Sequence, residues 1–427
     1  MGKMEISNAT DISFVGLLHM AKEAWRGNKR EVHAIELLKY YLEFMPGRAK
    51  AWMLYGDSLR IVGRSDEAYA ALSKAHAICQ QRDNEGIGII AERMALLVEK
   101  YKSPYDAKEW YEIATHAFGP NVGWTWVMCG RNLVTLGEFE RAIDCFLTVI
   151  CTQADEEAEA LFNLGLTYRA LGKYDDAIIC IRQALDINGS YEEAQDVLSG
   201  LEGIHETIIF IQKSRHDELS LDGIYNRAEE AWNKKEHEAH VVELLRHYLF
   251  FCPGTAKIWF MYGDSLGVLG NINEALSALN QALERCHERE WKGQIAMKIA
   301  MLTEKHISPF EAKEWYEMAN HELGSVTSSD ISFLWGLRGA NLAVLGEFDQ
   351  AIECYQTVAE MHDDLEDEAL LNLGLVYRAM AKYDEAIDCF RQALVINPTY
   401  KEAQDVLHGL EGIHDTLELI EKHKQQK

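Results

Sequence analysis

The chain has 427 residues, 48% of them hydrophobic, and its 42 basic residues against 68 acidic ones leave a net charge of −26. Length predicts two or three ordinary domains or one repeat array, while six prolines and 26% charged residues exclude both a many-stranded sandwich and a disordered chain. The acid surplus repels nucleic-acid phosphates and anionic membrane surfaces, so no nucleic acid and no membrane is expected as a partner.

In chain order, residues 1–11 read as an N-terminal tail without the basic, apolar, small-residue order of a signal peptide. No run of about 18 apolar residues follows, so no membrane span is expected. Nine cysteines with no C-x-x-C pair predict reduced thiols and a cytoplasmic protein, which leaves the sequon at Asn8 unglycosylated. Cys145, Cys180, Cys354 and Cys389 fall within apolar helical patterns and read as small buried hydrophobes.

Helix-period patterns then run to the end of the chain. The first pair carries Trp25, Ala34, Leu38 and Pro46, and the second Trp52, Gly56, Gly63, Ala68, Leu72 and Ala75. The third has Ala91, Met94, Ala95, then Ala107, Tyr111 and Ala114, and the fourth Trp126, Gly130, Gly137, Ala142 and Phe146. The fifth reads Leu161-x-x-Leu164-Gly165-x-x-Tyr168, then Gly172, Ala177, Ile181 and Ala184. An extra helix over about 191–213 closes the half.

The second half repeats the first. Trp232, Pro253 and Trp259 match Trp25, Pro46 and Trp52 at an offset of 207, which becomes 205 at Trp315 and 209 at Trp335. Its fifth pair reads Leu370-x-x-Leu373-Gly374-x-x-Tyr377, then Ala386, Phe390, Ala393 and Pro398, and a second extra helix over about 400–424 follows. The domains expected are thus the tail (1–11), a first array (12–213) and a second (214–427), with about ten repeats in all. The extra helices carry apolar stripes: the C-terminal one is expected to cover the last repeat, the middle one to join the arrays. Every proline falls at a predicted break, with Pro104 and Pro309 at first helical positions after serine.

The period of about 34 residues and the pattern W-x2-L-G-x2-Y, then A-x3-F, then P, resemble the tetratricopeptide repeat (TPR). The resemblance implies an all-α, right-handed TPR superhelix, an α-solenoid of antiparallel helix pairs in which stacking neighbours bury each pair's apolar stripe. It also implies that the first helix of each repeat lines a concave peptide-binding face. Carried over residue by residue, the polar positions are Lys50, Asp57, Arg60, Arg131, Asn163, Arg169, Lys257, Asp264, Asn372 and Arg378, and the apolar ones Met53, Phe162, Phe260 and Met261. Asn163 and Asn372 resemble family residues that bond an extended peptide backbone. The guanidinium forks of Arg169 and Arg378 suit carboxylates. Asp57, Leu96, Arg131 and Leu166 stand where a chaperone-tail clamp has asparagine in its first repeat, which argues against that clamp.

Catalytic motifs do not survive their context. Gly263-Asp264-Ser265-Leu266-Gly267 fits G-x-S-x-G but occupies a repeat's glycine position inside a helix, without the strand and strained turn of a nucleophile elbow. His237-Glu238-Ala239-His240 has the wrong spacing for a zinc helix, and Gly172-Lys173 is an inter-helix turn rather than a phosphate loop. Asp175-Asp176 and Asp363-Asp364 read as helix starts. His205 and His414, equivalent by duplication, have no Cys or Asp at ligand spacing. No metal and no cofactor is expected. The function expected is a non-catalytic scaffold for a protein or peptide ligand. The alternative is a ligand-responsive regulator that changes superhelical shape on binding a signal peptide and acts through a partner protein.

Overall fold

The structure, a computed structural model, describes residues 14–27, 30–82, 86–152, 154–214, 221–235, 237–324, 329–361 and 364–425. The N-terminal tail with its sequon, and Asp363, lie outside the described residues. Those described form helices and turns, with no strand among them.

The first half runs α1 (Phe14–Arg26), α2 (Glu31–Phe44), α3 (Ala49–Val62), α4 (Ser65–Arg82), α5 (Ile87–Tyr101), α6 (Pro104–Phe118), α7 (Gly123–Thr135), α8 (Phe139–Thr152), α9 (Glu157–Ala170) and α10 (Tyr174–Ile187), then α11 (Glu192–Gly200) and α12 (Ile204–Ser214). The second half repeats the order: α13 (Leu221–Asn233), α14 (Glu238–Phe251), α15 (Ala256–Leu269), α16 (Ile272–Arg285), α17 (Arg289–His306), α18 (Pro309–Leu323), α19 (Ser329–Val344), α20 (Phe348–Glu360), α21 (Glu366–Ala379) and α22 (Tyr383–Ile396), then α23 (Lys401–Leu410) and α24 (Ile413–Gln425). Within each unit neighbouring helices pack on one another, as α3 does on α4 and α2, α8 on α7 and α9, α16 on α15 and α17, and α21 on α20 and α22, the nearest-neighbour stacking of an all-α solenoid.

Local chemistry places these elements. Ser103 and Ser308 cap α6 and α18, accepting from the backbone N–H of Asp106 and Phe310 at 3.1 Å, with proline at the first helical position. Pro46, Pro253 and Pro398 follow the ends of α2, α14 and α22. Within a pair the helices touch where the sequence is smallest. A Cβ on Gly165 would meet Ile181 Cγ1 at 2.7 Å, and one on Gly374 would meet the Phe390 ring at 2.4 Å. The shrunken position lets the partner's large side chain fill the seam at interior density. The largest fully buried side chains among the described residues are Tyr111 and Tyr316, equivalent by duplication, whose hydroxyls donate to Glu99 and Glu304 at 2.7 Å, so neither phenol is buried unpaired.

The chain divides by contact into two compact units, each drawing on both halves. One comprises Val98–Thr327, the other the described residues of Met1–Leu97 and Ser328–Lys427.

In the Val98–Thr327 unit, α12 of the first half lies on α14 of the second. Thr207 hydrogen-bonds His240 Nδ1 at 2.8 Å, and the Tyr174 hydroxyl donates to Glu243 at 2.9 Å. In the other unit the end of the chain lies on its beginning. There α23 and α24 contact α2, Thr416 bonds His33 Nδ1 at 2.8 Å, His423 bonds the Tyr40 hydroxyl at 2.8 Å, and the Tyr383 hydroxyl donates to Glu36 at 2.8 Å. His33 and His240 occupy the same register in the two halves, as do Tyr174 and Tyr383.

Two expectations are corrected here. Each extra helix is two helices, because the chain passes through a left-handed backbone at Gly203 (φ 74°) and Gly412 (φ 75°), a conformation glycine adopts without strain. And while α23 packs on the last repeat through α22, α24 crosses to α2.

Candidate protein-binding site

The expected groove residues sit on the first helices of their repeats. In the unit that joins the chain ends, α3 carries Lys50, Met53, Asp57 and Arg60, and α21 carries Asn372 and Arg378; these two helices touch. Lys50 is exposed, Met53 half-buried and Asp57 buried. The Asp57 carboxylate accepts from Trp25 Nε1 at 3.2 Å and from Arg60 Nε and Nη2 at 3.1 and 2.8 Å, with Arg93 Nε 3.5 Å away. A carboxylate so provided for is a fixed ionic node rather than a free acceptor. Asn372 lines a narrow cleft of about 110 Å³ with Ser332, Phe333 and Gly336. Arg378 is half-buried.

The Val98–Thr327 unit repeats the node. Trp232 Nε1 donates to Asp264 Oδ2 at 3.1 Å, and Lys298 pairs with the other oxygen. Lys298 and Arg93 correspond at the offset of 205, so indole, aspartate and cation recur together in both halves. Sequence reasoning found the aspartates but missed Arg93 and Lys298. The signal was available, since both are basic at equivalent positions of the weak third repeat.

Around the second node, Phe260 packs edge-on between Trp232 and Trp291, with ring centroids 6.3 and 5.6 Å apart, and all three rings remain partly exposed. Lys257 pairs with Glu229, which also accepts from the Tyr225 hydroxyl at 2.9 Å. That pairing lowers the Glu229 pKa and raises that of Lys257. Arg131, exposed on α7, forms a long ion pair to Glu159 at 3.9 Å and donates to Met128 Sδ at 3.9 Å.

Several expected contact residues face inward or are already engaged. Phe162 is buried against Tyr191, ring centroids 4.8 Å apart, and Met261 is fully buried. Asn163 donates its amide to the Glu159 carbonyl of its own helix at 2.8 Å.

Arg169, at the end of α9, reaches α15 and donates from Nη2 to the Val268 carbonyl at 3.3 Å; its Nε is buried without a hydrogen-bond partner among the described residues. Burial holds its pKa below the usual arginine value, against the opposing pull of Glu238. It lines a cleft of about 430 Å³. A second, of about 390 Å³, is bounded by Trp232, Asp264 and Lys298, and the two share Lys235, Glu238 and Val268, so together they form one trough.

The residues of the remaining motifs lie within the helical framework. Ser265 is fully buried in the middle of α15. His237 stands at the N-terminus of α14 while His240 turns into the contact with Thr207. His205 and His414 do have acidic companions, brought by folding rather than spacing: Asp175 and Asp384, each at 3.0 Å. No cluster of three metal-binding side chains occurs among the described residues, and no helix among them is long and apolar enough to cross a membrane.

Family models match three of these helix pairs. Residues 158–191 and 367–400 match one tetratricopeptide repeat model and 256–286 a second. A TPR repeat-containing protein of Methanocaldococcus jannaschii is 30% identical over 74 residues, a match spanning 17% of this chain and 23% of the relative. Among solved structures, YrrB, described as a TPR protein with an unusual peptide-binding site, is 18% identical, covering 46% of this chain and 95% of its own at a TM-score of 0.37. BtubC from P. vanneervenii is 17% identical over 48% of this chain and 90% of its own, TM-score 0.37. PilW, a type IV pilus biogenesis factor, is 17% identical over 60% of this chain and all of its own, TM-score 0.37. With its paired helices, its small residues at close approaches and its matched segments in both halves, the chain carries tetratricopeptide repeats, three of them matched at 158–191, 256–286 and 367–400.

Proposed function

We propose that the chain is a non-catalytic scaffold that holds a peptide segment or helix of a partner protein along the first helices of its repeats. The observation that carries this reading is the trough beside the Trp232–Asp264–Lys298 node, where partly exposed aromatic rings stand next to fixed charges. Aromatic anchors beside ordered ionic groups are the composition of protein-binding hot spots. An ionic node whose partners are already set gives a ligand a rigid edge to dock against, at little entropic cost. The two arrays marked by the duplication, 12–213 and 214–427, would each offer such a surface, and linkage of two modest sites gains avidity.

The test is affinity capture from the source cell with the wild type and with a Lys50→Glu/Arg131→Glu/Lys257→Glu variant, read by mass spectrometry. The substituted side chains lie at the surface or in solvent-facing pairs, so helicity should persist, and specific partners should be depleted at least tenfold. A folded variant that retains every partner at wild-type level overturns the proposal.

A further inference from the structure

The cleft at Arg169 has a chemistry of its own. It forms where α9, α11 and α15 end and α14 begins, so it is built by the extra helical segment as well as by repeats. Its lining includes Arg169, Lys235, Asp196 and Glu238 over the apolar Val268 and Leu269. A guanidinium offers five donors in a planar fork. At Arg169 only one hydrogen bond to a described residue forms, the 3.3 Å contact to the Val268 carbonyl, while Nε is buried with no partner and no described carboxylate pairs with the group. Arg169 as a residue is half-buried, but a buried donor left unsatisfied, as its Nε is, is costly, and an anion supplied from outside to the guanidinium lowers that cost. The opening, about 430 Å³, is within the range of small-ligand sites.

The same lining says which anion. Asp196 and Glu238 stand in the cleft with the two cations. They repel a dianion such as phosphate, but offer a counter-charge to a cation carried beside a single carboxylate. We propose that this cleft binds the carboxylate of a ligand that also carries an ammonium or guanidinium group, as the free C-terminus of a peptide with a basic residue near its end does. Arg169 and Lys235 hold the carboxylate, and Asp196 and Glu238 receive the cation. The inference draws its ligand class from the scaffold reading, but uses none of Lys50, Arg131 or Lys257.

Titration of the full chain with N-acetyl-Ala-Lys-Ala bearing a free carboxylate tests it, with calorimetry for affinity and the Arg169 Nε–H resonance as a local reporter. The resonance should move on saturation. The C-terminal amide of the same peptide, and the wild-type peptide on Arg169→Gln, should each bind at least tenfold more weakly. Lys235→Gln, at an exposed position, gives a second loss that does not depend on how Arg169 contributes to folding, and melting curves check that both variants stay helical. The Lys50→Glu/Arg131→Glu/Lys257→Glu variant should bind the peptide as the wild type does, which separates failure of this cleft from failure of the scaffold reading. Free lysine binding as tightly as the peptide supports the same site, filled by an amino acid. Equal binding of the amide, full affinity in folded Arg169→Gln and Lys235→Gln, preference for inorganic phosphate, or no saturable binding at millimolar concentration overturns it.

Discussion

Lowering the pH should loosen the junction between α24 and α2, and the amount can be worked from one side chain. His33 is buried, bonds Thr416 through Nδ1, and has its pKa driven down to about 4 from 6.5, chiefly by desolvation and then by the nearby Arg30, against backbone acceptors at Glu411 and Gly409 and the charge of Asp415. Once α24 lifts away, the imidazole regains water and an ordinary pKa near 6.5. Between about pH 6.5 and 4 the opened state therefore binds a proton that the packed state refuses. The contribution is whole above pH 6.5 and is lost as the pH falls toward 4. At pH 5 the linkage relation puts the loss at about 2 kcal/mol, a factor of roughly 30 in the opening equilibrium. Hydrogen exchange of the α24 amides, corrected for intrinsic rates, reports that opening directly. Protection should fall about twentyfold between pH 7 and pH 5 in the wild type, and less than about threefold in His33→Gln, which has no proton to gain. Equal losses in the two proteins would refute the assignment to His33.

Two further contrasts each set one position against another, the second of them across the duplication. Gly374→Ala drives a methyl into the Phe390 ring and should cost about 1–3 kcal/mol in urea unfolding, whereas Gly336→Ala in α19 meets nothing within 4 Å and should stabilise by roughly 0.5–1 kcal/mol through helix propensity. Ser58 Oγ donates to the Leu54 carbonyl at 2.9 Å, while Ser265, its equivalent, is buried with Oγ unpaired among the described residues. Ser58→Ala should therefore cost about 1 kcal/mol and Ser265→Ala be neutral or stabilising. A hydrolase activity lost with Ser265→Ala would contradict the structural role given to it.

What was legible in the sequence is what repeats within it. Glycine and alanine at fixed offsets marked the close approaches, Ser-Pro marked the starts of α6 and α18, and the offsets of 207, 205 and 209 aligned the halves. Periodicity ran through Leu201–Gly203 and Glu411–Gly412 as if the helix continued, because an apolar stripe reports which face is buried and not whether the backbone turns left-handed at a single glycine. Nor could spacing give His205–Asp175 or His33–Thr416, 383 residues apart in the second case, since these pairs exist only after distant helices meet. At the candidate site, position within the repeat located Asp57, Asp264 and Arg169 correctly on their helices. It did not tell the engaged aspartates from the half-satisfied arginine, a difference made by Trp25, Trp232, Arg93 and Lys298 from neighbouring repeats.

The meeting of α24 with α2 sets a timetable for synthesis. A ribosome adding about 5–20 residues per second takes roughly 20–80 s to travel from His33 to Thr416. Throughout that interval the newborn first pair shows water the apolar flank that the final helix will cover. Its early residues are thus the ones most in need of a chaperone's shelter, and a message truncated shortly before the codons for Ile413–Gln425 would leave them without it.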